Sequence, residues 1–186
     1  MKRLIIILVI VVVLVLAFYY YFANIRAVDT SEAVAEVRAS KVEGVLLYNL
    51  DNRYPPTPRE VVRFFAETTQ CLYNETYNDA DFAAMGAQIY KLYDEELKEE
   101  NPWDVYLIDL RGEIDARRAM EYALSSYLLS GSIDVVYFHE DGYDYARLHC
   151  LFTLRQGTTF TPSEHQFLLR KDEDGRWKIL GWQYED

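Results

Sequence analysis

Residues 133–150, IDVVYFHEDGYDYARLHC, carry the pattern that decides the fold. Asp141-Gly142 is a two-residue hairpin turn, because both central positions of such a turn favour positive φ and these residue types tolerate it. The runs on either side alternate in polarity. With the turn at that place, Ile133 falls opposite Cys150, Val135 opposite Leu148 and Tyr137 opposite Ala146. All six share one side of the ribbon, and that side is apolar. The other side pairs Asp134 with His149, Val136 with Arg147 and Phe138 with Tyr145. Register and face agree, and in a ribbon of period two a slip by one residue would destroy that agreement.

Two further strands follow. Gln156-Gly157 turns the chain into a strand over about 159–171, and Asp174-Gly175 turns it into another over about 176–184. In that last strand Trp177, Ile179, Leu180 and Trp182 cannot all share one face, so it is expected to be covered on both sides. The loop at 172–175 leaves its register open by one residue.

Upstream the spacing changes from two to 3.6. Thr57-Pro58-Arg59-Glu60 starts a helix: a capping threonine, a proline at the first helical position, and a glutamate three residues after the cap. Val61, Phe64, Phe65, Thr68 and Leu72 form its apolar stripe, and the helix should end near Asn74. A second helix starts at Asn78, with Phe82, Met85, Ile89, Leu92, Tyr93 and Leu97 on its buried face. Asp94, Glu95, Glu96, Glu99 and Glu100 crowd its far end, the wrong sign for a helix C-terminus. They read as a solvated face or, more sharply, as a cation or partner site. Asn101-Pro102-Trp103-Asp104 opens a third helix, running to about Arg117 and carrying Val105, Ile108 and Ile114. Leu107 and Leu110 fall off that stripe, and Gly112 interrupts it. Residues 118–130 fit helix or strand equally, and Leu128 to Gly131 would close the helical half.

Ahead of these elements stands LIIILVIVVVLVLAFYYYFA at residues 4–23, without charge, proline or glycine. As a helix it would reach ~30 Å, about the hydrocarbon thickness of a bilayer. Lys2 and Arg3 precede it, whereas Asp29, Glu32 and Glu36 follow. The positive-inside rule then puts residue 1 in the cytoplasm and the C-terminal domain outside, at the plasma membrane. The aromatic cluster Phe18 to Phe22 suits a membrane interface, and the nearest candidate for signal-peptide cleavage, ending at Ala27, has Ile25 where a small residue is preferred. The expected organisation is a transmembrane anchor at 1–25, a tether at 26–54 and an extracytoplasmic domain at 55–186. Within the tether, residues 31–41 could form a short helix, and Val45 to Tyr48 a strand or a patch docking on the domain.

The net charge is −11, and the apolar segment with its flanks is positive, so the remainder is still more acidic. Such a surface repels phosphate backbones and excludes nucleic acid as a partner. The two cysteines, Cys71 and Cys150, either pair or stay as buried free thiols. No Cys/His spacing points to a metal, no cofactor motif occurs, and no spacing gathers His139, His149 and His165.

Helices followed by a meander make an α+β fold: an N-terminal transmembrane helix, then three helices packed on a curved antiparallel sheet of about four strands. The ending Phe167-Leu168-Leu169-Arg170-Lys171-Asp172, then Asp174-Gly175-Arg176-Trp177-Lys178-Ile179, resembles the close of nuclear transport factor 2-like domains. More closely, the chain is similar to an uncharacterised family of small membrane-anchored bacterial proteins. That likeness rests on Tyr54-Pro55-Pro56-Thr57-Pro58-Arg59-Glu60-Val61, Asp94-Glu95-Glu96-Leu97 with Glu100-Asn101-Pro102, and Trp177-Lys178-Ile179-Leu180-Gly181-Trp182. The superfamily resemblance implies a cone with a pocket between helices and sheet, where members such as ketosteroid isomerase and related dehydratases use Asp, Tyr or His. On the expected inner face the candidate pocket residues are Tyr137, Leu148, Cys150 and Val135, of which only Tyr137 has an obvious hydrogen-bonding group. Phe138, Tyr145, Asp134 and His149 form a candidate interaction face on the opposite side, and no catalytic set is complete there. The leading expectation is therefore a noncatalytic domain, displayed outside the cell, that holds a small apolar ligand or joins an envelope protein. The alternatives are an isomerase- or dehydratase-like enzyme with Tyr137 in its pocket, or a structural partner or homodimer using the Phe138/Tyr145 face.

Overall fold

The computed structural model describes residues 41–185. The expected transmembrane helix and the tether as far as residue 40 lie outside the described residues. None of the described helices is long and apolar enough to cross a membrane.

Residues 41–47 are helical, and Val42, Val45 and Leu50 are buried in the main core. The segment around Val45 therefore docks on the domain, and it is not a strand. Helix α1 (Pro58–Asn74) begins as its sequence dictates. The Thr57 hydroxyl accepts from the Glu60 N–H at 3.2 Å, with Pro58 in the first turn. Its stripe of Val61, Phe64, Phe65, Thr68 and Leu72 is buried. The Thr68 hydroxyl is satisfied inside the core by donating to the Phe64 carbonyl at 2.8 Å.

Helix α2 (Asp79–Leu92) starts on the Asn78 side chain, which accepts from the Asp81 N–H at 2.8 Å. It stops at Leu92, eight residues before Glu100 at the expected far end. Tyr93 turns extended, with ψ 144°, and forms a parallel bridge to Ile179 on the last strand. The Asp94 N–H donates to the Ile179 carbonyl at 2.8 Å. Asp94 then caps a new helix, α3 (Glu95–Glu100), accepting from the Glu96 N–H at 3.1 Å. The expected single helix is thus two. Glu95 and Glu96 occupy the first turn of α3, where carboxylates complement the helix dipole, so their sign is the favourable one. Helix α4 (Trp103–Ala119) buries Tyr106 and Ile114, with Leu107 and Leu110 packed against the core. Val105 and Ile108 face outward, at 48% and 72% exposure, so the expected stripe is corrected by about one residue.

Residues 118–130 resolve into the end of α4 and strand β1 (Tyr122–Leu129). A 3-10 turn, Ser132–Asp134, leads into β2 (Val136–Glu140), followed by β3 (Tyr143–Gln156), β4 (Thr159–Lys171) and β5 (Trp177–Glu185). The sheet is antiparallel and five-stranded, in the order β1-β3-β4-β5 with β2 also on β3. The strand absent from the expected four is β1.

The hairpin register holds from Val136–Arg147 to Glu140–Tyr143, about a turn in which Asp141 and Gly142 both take positive φ. Ahead of Val136 the expected pairing fails. The Asp134 N–H donates to the Gly131 carbonyl at 3.0 Å, closing the 3-10 turn and leaving Ile133 91% exposed. β1 takes the vacated edge: Leu129 pairs with Cys150, and the Ser130 N–H donates to the His149 carbonyl at 3.0 Å. The Ile133–Cys150 and Asp134–His149 pairs therefore do not form, because a longer strand competes for the same edge of β3.

The last strand is corrected too. Phe167 pairs with Trp182 and Leu169 with Ile179, so Leu180 is an extra residue bulged between them. A bulge shifts the alternation by one. Trp182 consequently joins Trp177 and Ile179 on the helix side, and the strand has no need of cover on both faces. Ala146, Leu148, Cys150, Phe167, Leu169 and Ile179, each fully buried, form the sheet's contribution to the core. At roughly 1.5–3 kcal/mol for each large apolar side chain, such burial supplies the main stabilising term.

Candidate functional site

Between the inner sheet face and the helices lies a cavity of about 290 Å3. Its floor comes from alternate residues of adjacent strands: Phe152 on β3, Ser163 and His165 on β4, Trp182 and Tyr184 on β5. α1 contributes Phe65, Thr69 and Tyr73 at a spacing of four. α4 contributes Tyr106, Asp109, Leu110, Glu113 and Arg117, which share one helical face. Tyr93 enters from the break between α2 and α3, and Leu97 from α3. The wall is thus chiefly aromatic. Trp182 lies 5.5 Å from Phe65 and 6.0 Å from Tyr93, centroid to centroid.

Two polar groups converge on this aromatic space. On the sheet side the Ser163 hydroxyl stands 3.0 Å from His165 Nε2, and the imidazole is flanked by Phe152 at 4.9 Å and Tyr184 at 4.5 Å. Burial lowers the His165 pKa below its ordinary value, and the Glu113 charge opposes that shift. The ring is therefore neutral at pH 7, with one nitrogen free to accept a proton. On the helix side the Tyr73 hydroxyl donates to Glu113 at 2.9 Å. Burial raises the Tyr73 pKa, and the neighbouring Glu113 raises it further. Burial also raises the pKa of Tyr93 and of Tyr106, so both phenols stay protonated. The Tyr106 hydroxyl donates to the Gly86 carbonyl at 3.3 Å. Asp109, Glu113 and Arg117 line the helix side of the space.

None of the residues expected to form the pocket lines this cavity. Val135, Leu148 and Cys150 are core residues. Tyr137 is 57% exposed, its ring 5.8 Å from Trp177. Of the expected interaction face, Phe138 and Tyr145 do meet, their rings stacked at 5.2 Å, with the Arg147 guanidinium 5.4 Å from the Phe138 ring. Asp134 sits apart in the 3-10 turn. His149 faces Glu164 and Glu185 at 3.4 Å and 3.2 Å. The cysteines are both free and buried.

The lining residues that sequence reasoning missed had partial signals. Tyr106, Leu110, Glu113 and Arg117 recur at three and four residues, a face that the Val105/Ile108 reading displaced. Ser163 and His165 alternate on β4, but nothing local says which face looks inward. Trp182 and Tyr184 were hidden by the bulge.

These features define an α+β protein whose helices and antiparallel sheet enclose an aromatic cavity with ionisable groups at two sides. The chain belongs to a family described as a domain of unknown function, DUF6715, which matches residues 1–182. No curated protein matches it.

Proposed function

We propose that residues 41–185 form a noncatalytic binding domain that holds a small, largely apolar ring compound with one polar group in the cavity. The observation that carries this reading is the aromatic wall with Ser163–His165 on one side and Tyr73–Glu113 on the other. Apolar enclosure with a few fixed polar groups is the usual construction of a small-ligand site. Helices lying on one face of an antiparallel sheet also favour a nuclear transport factor 2-like cone. The uncharged run 4–23, led by Lys2 and Arg3, favours a single-pass anchor with this domain outside the cytoplasm.

Equilibrium binding of 2-naphthol, a two-ring phenol, to the full chain in detergent tests the cavity, read by quenching of tryptophan fluorescence. Wild type should bind saturably, and Ser163→Leu, which fills the floor, should weaken binding at least tenfold while leaving the melting temperature within a few degrees. Absence of saturable binding, or equal binding by Ser163→Leu, overturns the reading. Protease added to intact cells tests the topology: digestion of the domain only after lysis would refute it.

A second reading, acid–base catalysis, draws on one observation. His165 is a half-buried imidazole, its pKa lowered by burial, in the same cavity as Glu113. An enzyme of this kind would use His165 as its base, and His165→Gln would abolish turnover without preventing ligand binding. Tyr137 has no part in it, because it lies away from the lining.

A further inference from the structure

The outer face of the same strands carries a second constellation. Alternation along β4 sends Ser163 and His165 inward and Glu164 and Gln166 outward. Across the ladder, His149 lies opposite Gln166, and Glu164 lies opposite Glu185. Three adjacent strands thereby bring His149 Nδ1 to 3.2 Å from Glu185 Oε2 and 3.4 Å from Glu164 Oε1. One donor atom from each residue lies within 4.8 Å of the others.

Two independent features make this more than a solvated acidic patch. Directly opposed like charges destabilise a ladder. Among the described residues, the only group within ion-pair distance of either carboxylate that can carry positive charge is His149. The distances also fit a coordinated cation. With metal–ligand bonds of about 2.0–2.1 Å, neighbouring donors of a tetrahedron stand about 3.3–3.4 Å apart, close to the two imidazole–carboxylate separations. The Glu164 and Glu185 side chains are 49% and 36% exposed, free to draw together by rotation. Outer support is in place as well. The Gln166 amide donates to Glu185 Oε1 at 2.6 Å, which leaves Oε2 turned to the imidazole. The same amide nitrogen lies 3.4 Å from His149 Nε2, so Gln166 bridges the carboxylate and the imidazole from outside.

We propose that His149, Glu164 and Glu185 bind one divalent transition-metal ion of the zinc class, with water completing the coordination. Imidazole and carboxylate together suit that class, whereas magnesium and calcium prefer oxygen alone. The ion would neutralise the opposed carboxylates and clip β3, β4 and β5 together, immediately behind His165 and Tyr184 in the cavity wall. It would be a structural brace for the cavity, not a reacting group.

Full-chain protein, stripped with chelator and kept in detergent, is titrated with Co2+ and then with competing Zn2+. The expected result is one equivalent of cobalt with the visible absorption of a low-coordinate site, displaced by zinc. His149→Gln and Glu185→Gln should each weaken binding at least tenfold, and His139→Gln should leave it unchanged. Because these side chains are partly exposed, the variants should fold, which far-ultraviolet circular dichroism checks. The doubly substituted Glu164→Gln/Glu185→Gln chain gives a second readout. Without metal it should melt no lower than wild type, and zinc should no longer raise its melting temperature. Equal cobalt binding by His149→Gln, or no stoichiometric binding by wild type, overturns the proposal.

Discussion

Replacing Asp94 by asparagine should expose how the helical layer is fastened to the sheet. Asp94 is 4% exposed, at the break between α2 and α3. Its carboxylate takes both Nε and Nη2 of Arg170 on β4, the former at 3.0 Å. This partnership holds the guanidinium above its ordinary pKa. The same carboxylate caps α3 at Glu96. Asparagine keeps the cap, being an equally good N-cap, and removes the charge together with the oxygen that accepts from Arg170 Nε. Breaking a fully buried pair costs about 3–5 kcal/mol, whereas an exposed pair is worth about 0–1 kcal/mol. Arg170 is 18% exposed and retains Glu96 at 3.1 Å. The expected loss is therefore intermediate, about 2–3 kcal/mol, and alanine should add about 1 kcal/mol for the lost cap. For a domain of this size that is a fall in melting temperature of roughly 6–10 °C. Urea unfolding of the full chain, followed by tryptophan fluorescence, measures it. A double-mutant cycle with Arg170→Gln should return most of the loss as coupling between the two sites. A cost below about 0.5 kcal/mol, or no coupling, would refute the view that this pair fastens α3 to β4.

Three other outcomes follow from the geometry. His165 is half-buried, with its pKa depressed from 6.5, so protonation opposes folding. The stability it supplies should be complete above about pH 6.5 and be lost as pH falls through the depressed folded pKa. Midpoints of unfolding between about pH 8 and 4.5 should flatten in His165→Gln, and an unchanged slope would refute this. Burial pushes the Cys150 thiol up to about 12 and also raises that of Cys71. Native protein should resist iodoacetamide at pH 8, unfolded protein should take two labels, and non-reducing electrophoresis should show no disulfide. At Gly86 an added Cβ would stand 3.1 Å from Leu107 Cδ1 and 3.5 Å from Leu110 Cδ2. Gly86→Val should therefore wedge α2 from α4 and cost about 1–3 kcal/mol in urea unfolding, and an undiminished midpoint would sink the close-approach reading.

Elements with strong local chemistry were legible in the sequence. Thr57-Pro58 and Asn78 each supply a cap and a first turn, and Asp141-Gly142 supplies the two positive φ values that set the hairpin register. What escaped was decided by competition between distant segments. Asp94 reads as part of one long helix until β5 offers the Ile179 carbonyl to its N–H. Ile133 and Asp134 alternate correctly for a strand, yet β1 satisfies the same edge of β3 over more residues. The bulge at Leu180 has no local mark beyond Gly181, yet it determines that Trp182 enters the cavity. For this reason the cavity's sheet side was illegible, whereas its α4 side was recoverable from spacing alone.

The side-chain amide of Asn74 donates to the Leu124 carbonyl at 2.8 Å and accepts from the Leu124 N–H at 2.9 Å. It thereby imitates one rung of a neighbouring strand, and Gln70 adds a second contact to the same carbonyl at 3.1 Å. At the opposite border, the Asp94 main-chain N–H donates to the Ile179 carbonyl at 2.8 Å. An open border of unpaired amides is a template for aggregation, on which another polypeptide can zip up without any specificity. Here α1 and the α2–α3 junction act as end-stops at those two points, so filament growth by strand addition is obstructed there. Substituting Asn74 with leucine would remove one stop while keeping a helix-forming residue, and slow fibril formation would be the hazard released.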